Sequence, residues 1–167
     1  MLQDNIKILS KFIFLVLIQT LVFDQITLLG FSYPAVYLFF VISYRFDKSQ
    51  FILIFLGFLL GLTIDLLQGS SGSNTIATLF ISFLRPFIIR FSFGNNLDSI
   101  SLLSMNSRTN NQIVFVASIT ILHQVIMQIV AYLDFNHFIV ILRNTIVNSI
   151  FTFILLFSSV TLFKNKN

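Results

Sequence analysis

The chain has 167 residues, of which 56% are hydrophobic and 10% charged, with a mean hydropathy of +0.94 and a formal net charge of +4. A soluble domain carries about 25% charged residues, and so short a chain has too little interior to hide this much apolar surface; composition excludes a soluble fold and leaves an integral membrane protein. The absence of cysteine excludes disulfides, thiol catalysis and thiolate metal sites, and the Lys and Arg residues form no patch that would hold nucleic acid.

Residues 1–11 form a short polar start, followed by an apolar run over 12–23 broken only by Gln19 and Thr20. The charge order is that of a signal peptide, but no small-residue cleavage site follows, so a retained first span is expected at about 8–24. Gly30 and Pro34 mark a turn before a second span, placed at 28–44. Its clearly apolar part, residues 34–44, covers only ~17 Å at the helical rise, against a hydrocarbon core of about 30 Å. The third span is expected over 50–67 and the fourth over 74–91, with Ser73 or Asn74 as N-cap. The fifth lies at 112–132 and the sixth at 138–163, with a polar connection over 92–111. These runs are apolar all round rather than alternating, which favours helices over a β-barrel.

Charge counting orients the spans. With six crossings, Lys7, Lys11, Arg45, Lys48, Arg90, Arg108, Lys164 and Lys166 share one side, and the loops 24–33, 68–73 and 133–138 contain no Lys or Arg. Basic loops stay on the cytoplasmic side. The expectation is one membrane domain over 1–167, a compact all-α bundle of six transmembrane helices with both termini and the 92–111 connection cytoplasmic.

The chain's most informative stretch is Gly57-Phe-Leu-Leu-Gly61-Leu-Thr-Ile-Asp65. Steps of four share a helical face, so two glycines cut a groove that ends at a carboxylate. Such a groove admits another backbone closely, either from this chain or from a partner. The fourth span places Thr75, Thr78, Ser82 and Arg85 on one face, and Pro86 should free a carbonyl one turn back. The fifth carries Thr120, His123, Gln124 and Gln128; the sixth carries Arg143, Asn144, Asn148 and Thr152. An intramembrane polar network of Asp65, Arg85, His123, Gln124, Arg143 and Asn144 is therefore expected, with Asp65 paired to Arg143, Arg85 on backbone carbonyls and His123 as a hydrogen-bonded interior residue. The first and second spans carry few polar groups and are expected to face lipid or a partner. No nucleophile triad, phosphate loop, zinc-helix motif or carboxylate pair is present, so no enzyme activity, metal or cofactor is expected.

The Gly57-to-Asp65 helix end, the short turn with Gly72 and the opening Asn74-Thr-Ile-Ala-Thr78 resemble the signature of the rod shape-determining protein MreD family. The stretch Phe83-Leu-Arg85-Pro86-Phe-Ile-Ile-Arg90 is similar to one bacterial branch of it, as are His123, Arg143-Asn144 and Phe151-Thr-Phe153. The turn over 68–74 departs from the family, whose members often carry leucine or histidine there. The resemblance implies a non-enzymatic scaffold in the bacterial cytoplasmic membrane. Such scaffolds associate with MreC and connect the MreB cytoskeleton to a penicillin-binding transpeptidase and a RodA-type polymerase in peptidoglycan synthesis. It also implies a fold similar to the six-helix substrate-binding subunits of energy-coupling-factor transporters. A small-molecule-binding transporter subunit is the alternative. It would need a roomy outward cavity, which the few tyrosines and short outer turns disfavour. A proton or ion path through Asp65, His123 and Arg143 is a third reading.

Overall fold

Five helices carry the apolar bulk of the chain. In the computed structural model, which describes residues 2–25, 33–45, 49–94, 108–133 and 137–164, the first helix, α1 (Leu2–Ile18), continues through one π-helical turn, Gln19–Phe23. It therefore starts earlier than the polar first residues led us to expect. Helices α3 (Gln50–Gln68), α4 (Ser73–Phe93), α5 (Thr109–Tyr132) and α6 (Phe138–Lys164) follow, each packed against the next. Each of the five contains a segment long and apolar enough to cross a membrane: Ile6–Phe23, Gln50–Gln68, Ser73–Phe93, Thr109–Tyr132 and Phe138–Leu162. The described residues contain no strand. The connection expected over 92–111 is shorter at both ends, because α4 runs to Phe93 and α5 starts at Thr109. The turn expected at 134–137 lies mostly outside the described residues.

The second segment departs from expectation. Of the 28–44 span, residues 28–32 lie outside the described residues. Residues 33–35 are not helical, Val36–Leu38 form a 3-10 turn, and α2 (Phe39–Ser43) adds five residues. This helical piece measures roughly 13 Å, less than half of a hydrocarbon core of about 30 Å. Nor does it face lipid: residues 34–42 are all buried, Leu38 and Val41 completely. Non-helical backbone inside a membrane protein must be surrounded by protein that satisfies it. α2 is accordingly the axis around which the core assembles, with Phe40 edge-on to Phe12 of α1 at 5.8 Å and Lys11 of α1 lying 4.8 Å from the centre of the Phe39 ring.

Helix α1 has two apolar sides. Phe12, Leu15, Val16 and Gln19 turn inward at helical spacing, while Ile6, Leu9, Ile13, Phe14, Leu17 and Leu21 are exposed. A helix with one apolar face on apolar core and another on the outside is what a bundle in lipid requires, because lipid and core are equally apolar.

Candidate functional site

The Gly57–Gly61 groove is filled by α4 of the same chain. A Cβ built on Gly61 would lie 2.6 Å from Thr75 Cα and 2.7 Å from the Asn74 carbonyl oxygen; on Gly57 it would meet the Ser82 hydroxyl at 2.2 Å. The contact at Gly61 is with backbone, which cannot move aside. Glycine here is what lets the start of α4 touch α3.

That closeness positions Asp65 one turn further on. Its carboxylate accepts the main-chain N–H of Asn74 at 3.1 Å and of Thr75 at 2.7 Å, with further bonds from the Asn74 amide at 2.9 Å and the hydroxyls of Ser70 and Thr75. These are the free donors of the first turn of α4, which an N-cap side chain normally satisfies. Here the N-cap is Gly72, in the left-handed region at φ 84°, and has no side chain to offer. The cap comes from α3 instead. Asp65 also closes its own helix, its carbonyl receiving the N–H of Gly69 and of Ser70. Ser73 and Asn74, expected as caps, are the first helical residues.

This corrects the expected Asp65–Arg143 pair. The carboxylate is bonded to the α3–α4 turn, while the Arg143 guanidinium is exposed on α6 and donates to Asn144 at 3.2 and 3.3 Å. Asn144 in turn donates to the Tyr132 hydroxyl at 3.1 Å, tying the end of α5 to α6. A local cap of backbone donors satisfies a buried carboxylate without the desolvation of a second charge.

Asn74 is the hub between this turn and the interior. Its Oδ1 accepts the Tyr37 hydroxyl at 2.8 Å, and Tyr37 Oη lies 3.0 Å from His123 Nε2, the rings edge to face. Since Tyr37 donates to Asn74, His123 must donate to Tyr37, which assigns the Nε2–H tautomer. His123 Nδ1 is buried with no partner, as is Gln124 Oε1. The Gln124 amide donates to Thr152 Oγ1 at 3.4 Å, and Thr152 Oγ1 accepts the Ala35 N–H at 3.0 Å.

Side chains from other helices cap both ends of the short second segment. Gln19 Oε1 accepts the N–H of Val36 at 2.9 Å and of Tyr37 at 3.3 Å, and its amide donates to the Pro34 carbonyl at 3.1 Å. At the other end, buried Arg85 donates to the Tyr44 carbonyl. This agrees with the expectation that Arg85 serves backbone carbonyls. Pro86 next to it frees the Ser82 carbonyl, which Gln50 recovers with a 2.6 Å bond.

The network borders a cavity of about 470 Å³ at the end of the bundle that holds the α3–α4 turn. Gln19, Asp24, Tyr33, Tyr37, Gln68 and Asn74 are among its walls. Asp24 Oδ1 accepts amides from two helices, Gln19 at 2.9 Å and Gln68 at 2.8 Å. Thus Gly57, Gly61, Asp65, Arg85, His123 and Gln124 are brought inside, whereas Arg143 is exposed and Asn144 joins a separate cluster. Gln19, Asp24, Tyr37 and Asn74 were not anticipated as a site. Gln19 alone had a visible signal, a buried-face amide in an apolar run.

No protein-family model, curated protein or solved structure matches this chain.

Proposed function

We propose that this protein is a non-catalytic scaffold of the bacterial cell-elongation machinery, a multi-pass protein of the cytoplasmic membrane with both termini in the cytoplasm. The observation that carries this reading is that its intramembrane polar groups serve its own architecture. Asp65 caps α4, Arg85 and Gln19 cap the second segment, and the glycine groove is occupied from within. A chain so fixed internally presents its apolar outer faces, above all that of α1, to neighbouring membrane proteins. Together with the MreD-like motif, this points to an MreC-like protein as partner, with a RodA-type polymerase and a penicillin-binding transpeptidase in the same assembly. The test is purification from the native membrane in mild detergent together with depletion in the cell. The reading expects an MreC-like protein to co-purify and depleted rods to become round. Unaltered shape with no such partner would overturn it.

A second reading, a small-molecule-binding subunit, is favoured by one observation, the polar cavity of about 470 Å³. Ligand pockets occupy roughly 300–1,000 Å³. By the positive-inside pattern this cavity opens on the non-cytoplasmic side.

A further inference from the structure

We infer that this cavity is a binding site for a small organic cation, an ammonium compound held by Asp24. The inference rests on the small-molecule reading and gives it a ligand class.

The charge of the walls carries the argument. Among the described residues no Lys or Arg lines the cavity, and the sequence has none over 24–33, 68–73 and 133–138. A phosphate, carboxylate or nucleotide would therefore enter without a counter-charge. Two carboxylates stand close by. Asp24 lines the cavity itself, and Asp65 lies directly behind Ser70 and Asn74, both of which are lining residues. Asp65 is held by hydrogen-bond donors, which satisfy its lone pairs but bring no formal positive charge. Its negative charge is offset only by the partial positive charge of the α4 N-terminus. A cleft of one sign with low-dielectric walls concentrates counter-ions.

Geometry places the ammonium. Gln19 and Gln68 both donate to Asp24 Oδ1, and no protein donor reaches Oδ2. The two amides fix the carboxylate in place, so its second oxygen is a prepared acceptor. Tyr33, which is 44% exposed, also lines the cavity, and aromatic faces attract organic cations more readily than they do anions. The volume far exceeds that of a bare metal ion, and the walls offer one carboxylate rather than a cage of oxygens, so the chemistry is that of an alkylammonium. A free amine and the ammonium of a lipid headgroup share it.

The lack of native cysteine makes the test direct. Ser73 is buried and lines the cavity. A Ser73→Cys protein in detergent is exposed in turn to cationic trimethylammonioethyl methanethiosulfonate and anionic sulfonatoethyl methanethiosulfonate. Each rate is divided by that of the same reagent with mercaptoethanol. The expected result is at least a roughly tenfold preference for the cation, the lower end of the enrichment known for charged clefts. The preference should be lost in a Ser73→Cys, Asp24→Asn protein, and tetramethylammonium should slow the reaction saturably. Protection appearing only in nanodiscs with phosphatidylethanolamine would assign the ammonium to a lipid headgroup. If Asp24→Asn does not fold, the same rates and protection at Thr20→Cys, a second lining position, decide the matter. Equal rates, an anion preference, or no protection by either ammonium source would overturn the cation assignment while leaving an open cavity. If neither reagent reaches either cysteine in folded protein, the small-molecule reading falls as well.

Discussion

The α3–α4 turn and the helix interiors behind it treat their buried polar groups differently. Between α3 and α4, glycines bring backbones into contact, Asp65 satisfies N–H groups left open by the turn, and Gln50 satisfies the carbonyl freed by the proline. Deeper in the helices the picture differs: Gln124 Oε1, Asn148 Oδ1, Ser149 Oγ and His123 Nδ1 on α5 and α6, and likewise Ser82 Oγ, Arg85 Nε and Ser92 Oγ on α4, are buried with no partner among the described residues. A buried polar group that lacks a partner costs about 1–3 kcal/mol. The α3–α4 turn thus derives stability from its polar groups, whereas the helices behind it, α4 as well as α5 and α6, retain polar groups that stability alone does not explain. Substitutions on the two sides should therefore behave in opposite ways.

The largest effect is expected at Gly61. Leucine there must displace the backbone of Asn74 and Thr75, which also moves the N–H groups away from Asp65. Overpacking alone costs about 1–3 kcal/mol, and the lost cap adds to it. Gly61→Leu should fail to give a monodisperse peak in detergent gel filtration. Gly57→Ala meets only the Ser82 side chain, so its thermal midpoint should fall much less than that of Gly61→Ala.

Asp65→Ala comes next. It strips the cap from α4, and hydrogen bonds to a charged group contribute about 1.5–3 kcal/mol each. A clear drop in the thermal midpoint of the purified protein is expected. Arg143→Gln, at an exposed position, should change stability by no more than about 0.5 kcal/mol. The double variant should be additive; a strong coupling would restore the Asp65–Arg143 pair and contradict the cap.

Gln19→Leu should cost about 1–3 kcal/mol, because the Tyr37 N–H loses its acceptor in the interior and the Val36 N–H keeps only the Pro34 carbonyl at 3.2 Å. A midpoint equal to the parent's would show that Gln19 does not hold the second segment. The smallest effect belongs to α6. Asn148→Leu replaces a buried amide whose oxygen has no partner with an apolar side chain of similar volume, which is near neutral or stabilising in such cases. A large loss of stability there would mean that the amide has a role within the fold, and the contrast with the α3–α4 turn would collapse.

Much of this arrangement was legible because helical spacing is strict. Gly57, Gly61 and Asp65 had to share a face, and Pro86 had to free a carbonyl one turn back. Their partners were harder to see. Opposite charge drew attention to Arg143, yet the cap lay in the next turn of the chain, where Gly72 provides no side chain of its own. The second segment was misread for a different reason. Apolar residues face lipid and protein alike in a membrane, so composition could not tell that residues 34–42 lie inside. Its shortness was the one visible sign that it needs protein around it. Tyr37 and Asn74 gave no sign of meeting, since each looks ordinary at its own place.

The bond between Ala35 and Thr152 has a consequence for biosynthesis. The two residues are 117 positions apart. When the ribosome has delivered residue 35 to the bilayer, the hydroxyl that will receive this N–H, in α6, has yet to be made. Gln19 is already present and Arg85 follows at about the halfway point, so the segment acquires its holders in sequence, from its start to its far end and finally at the extended residues. Until α6 is inserted, a backbone donor in the middle of the protein must rely on water or on the translocation machinery. Completion of the core is thereby coupled to synthesis of α6, and a product that stalls before residue 152 lacks the acceptor for this donor.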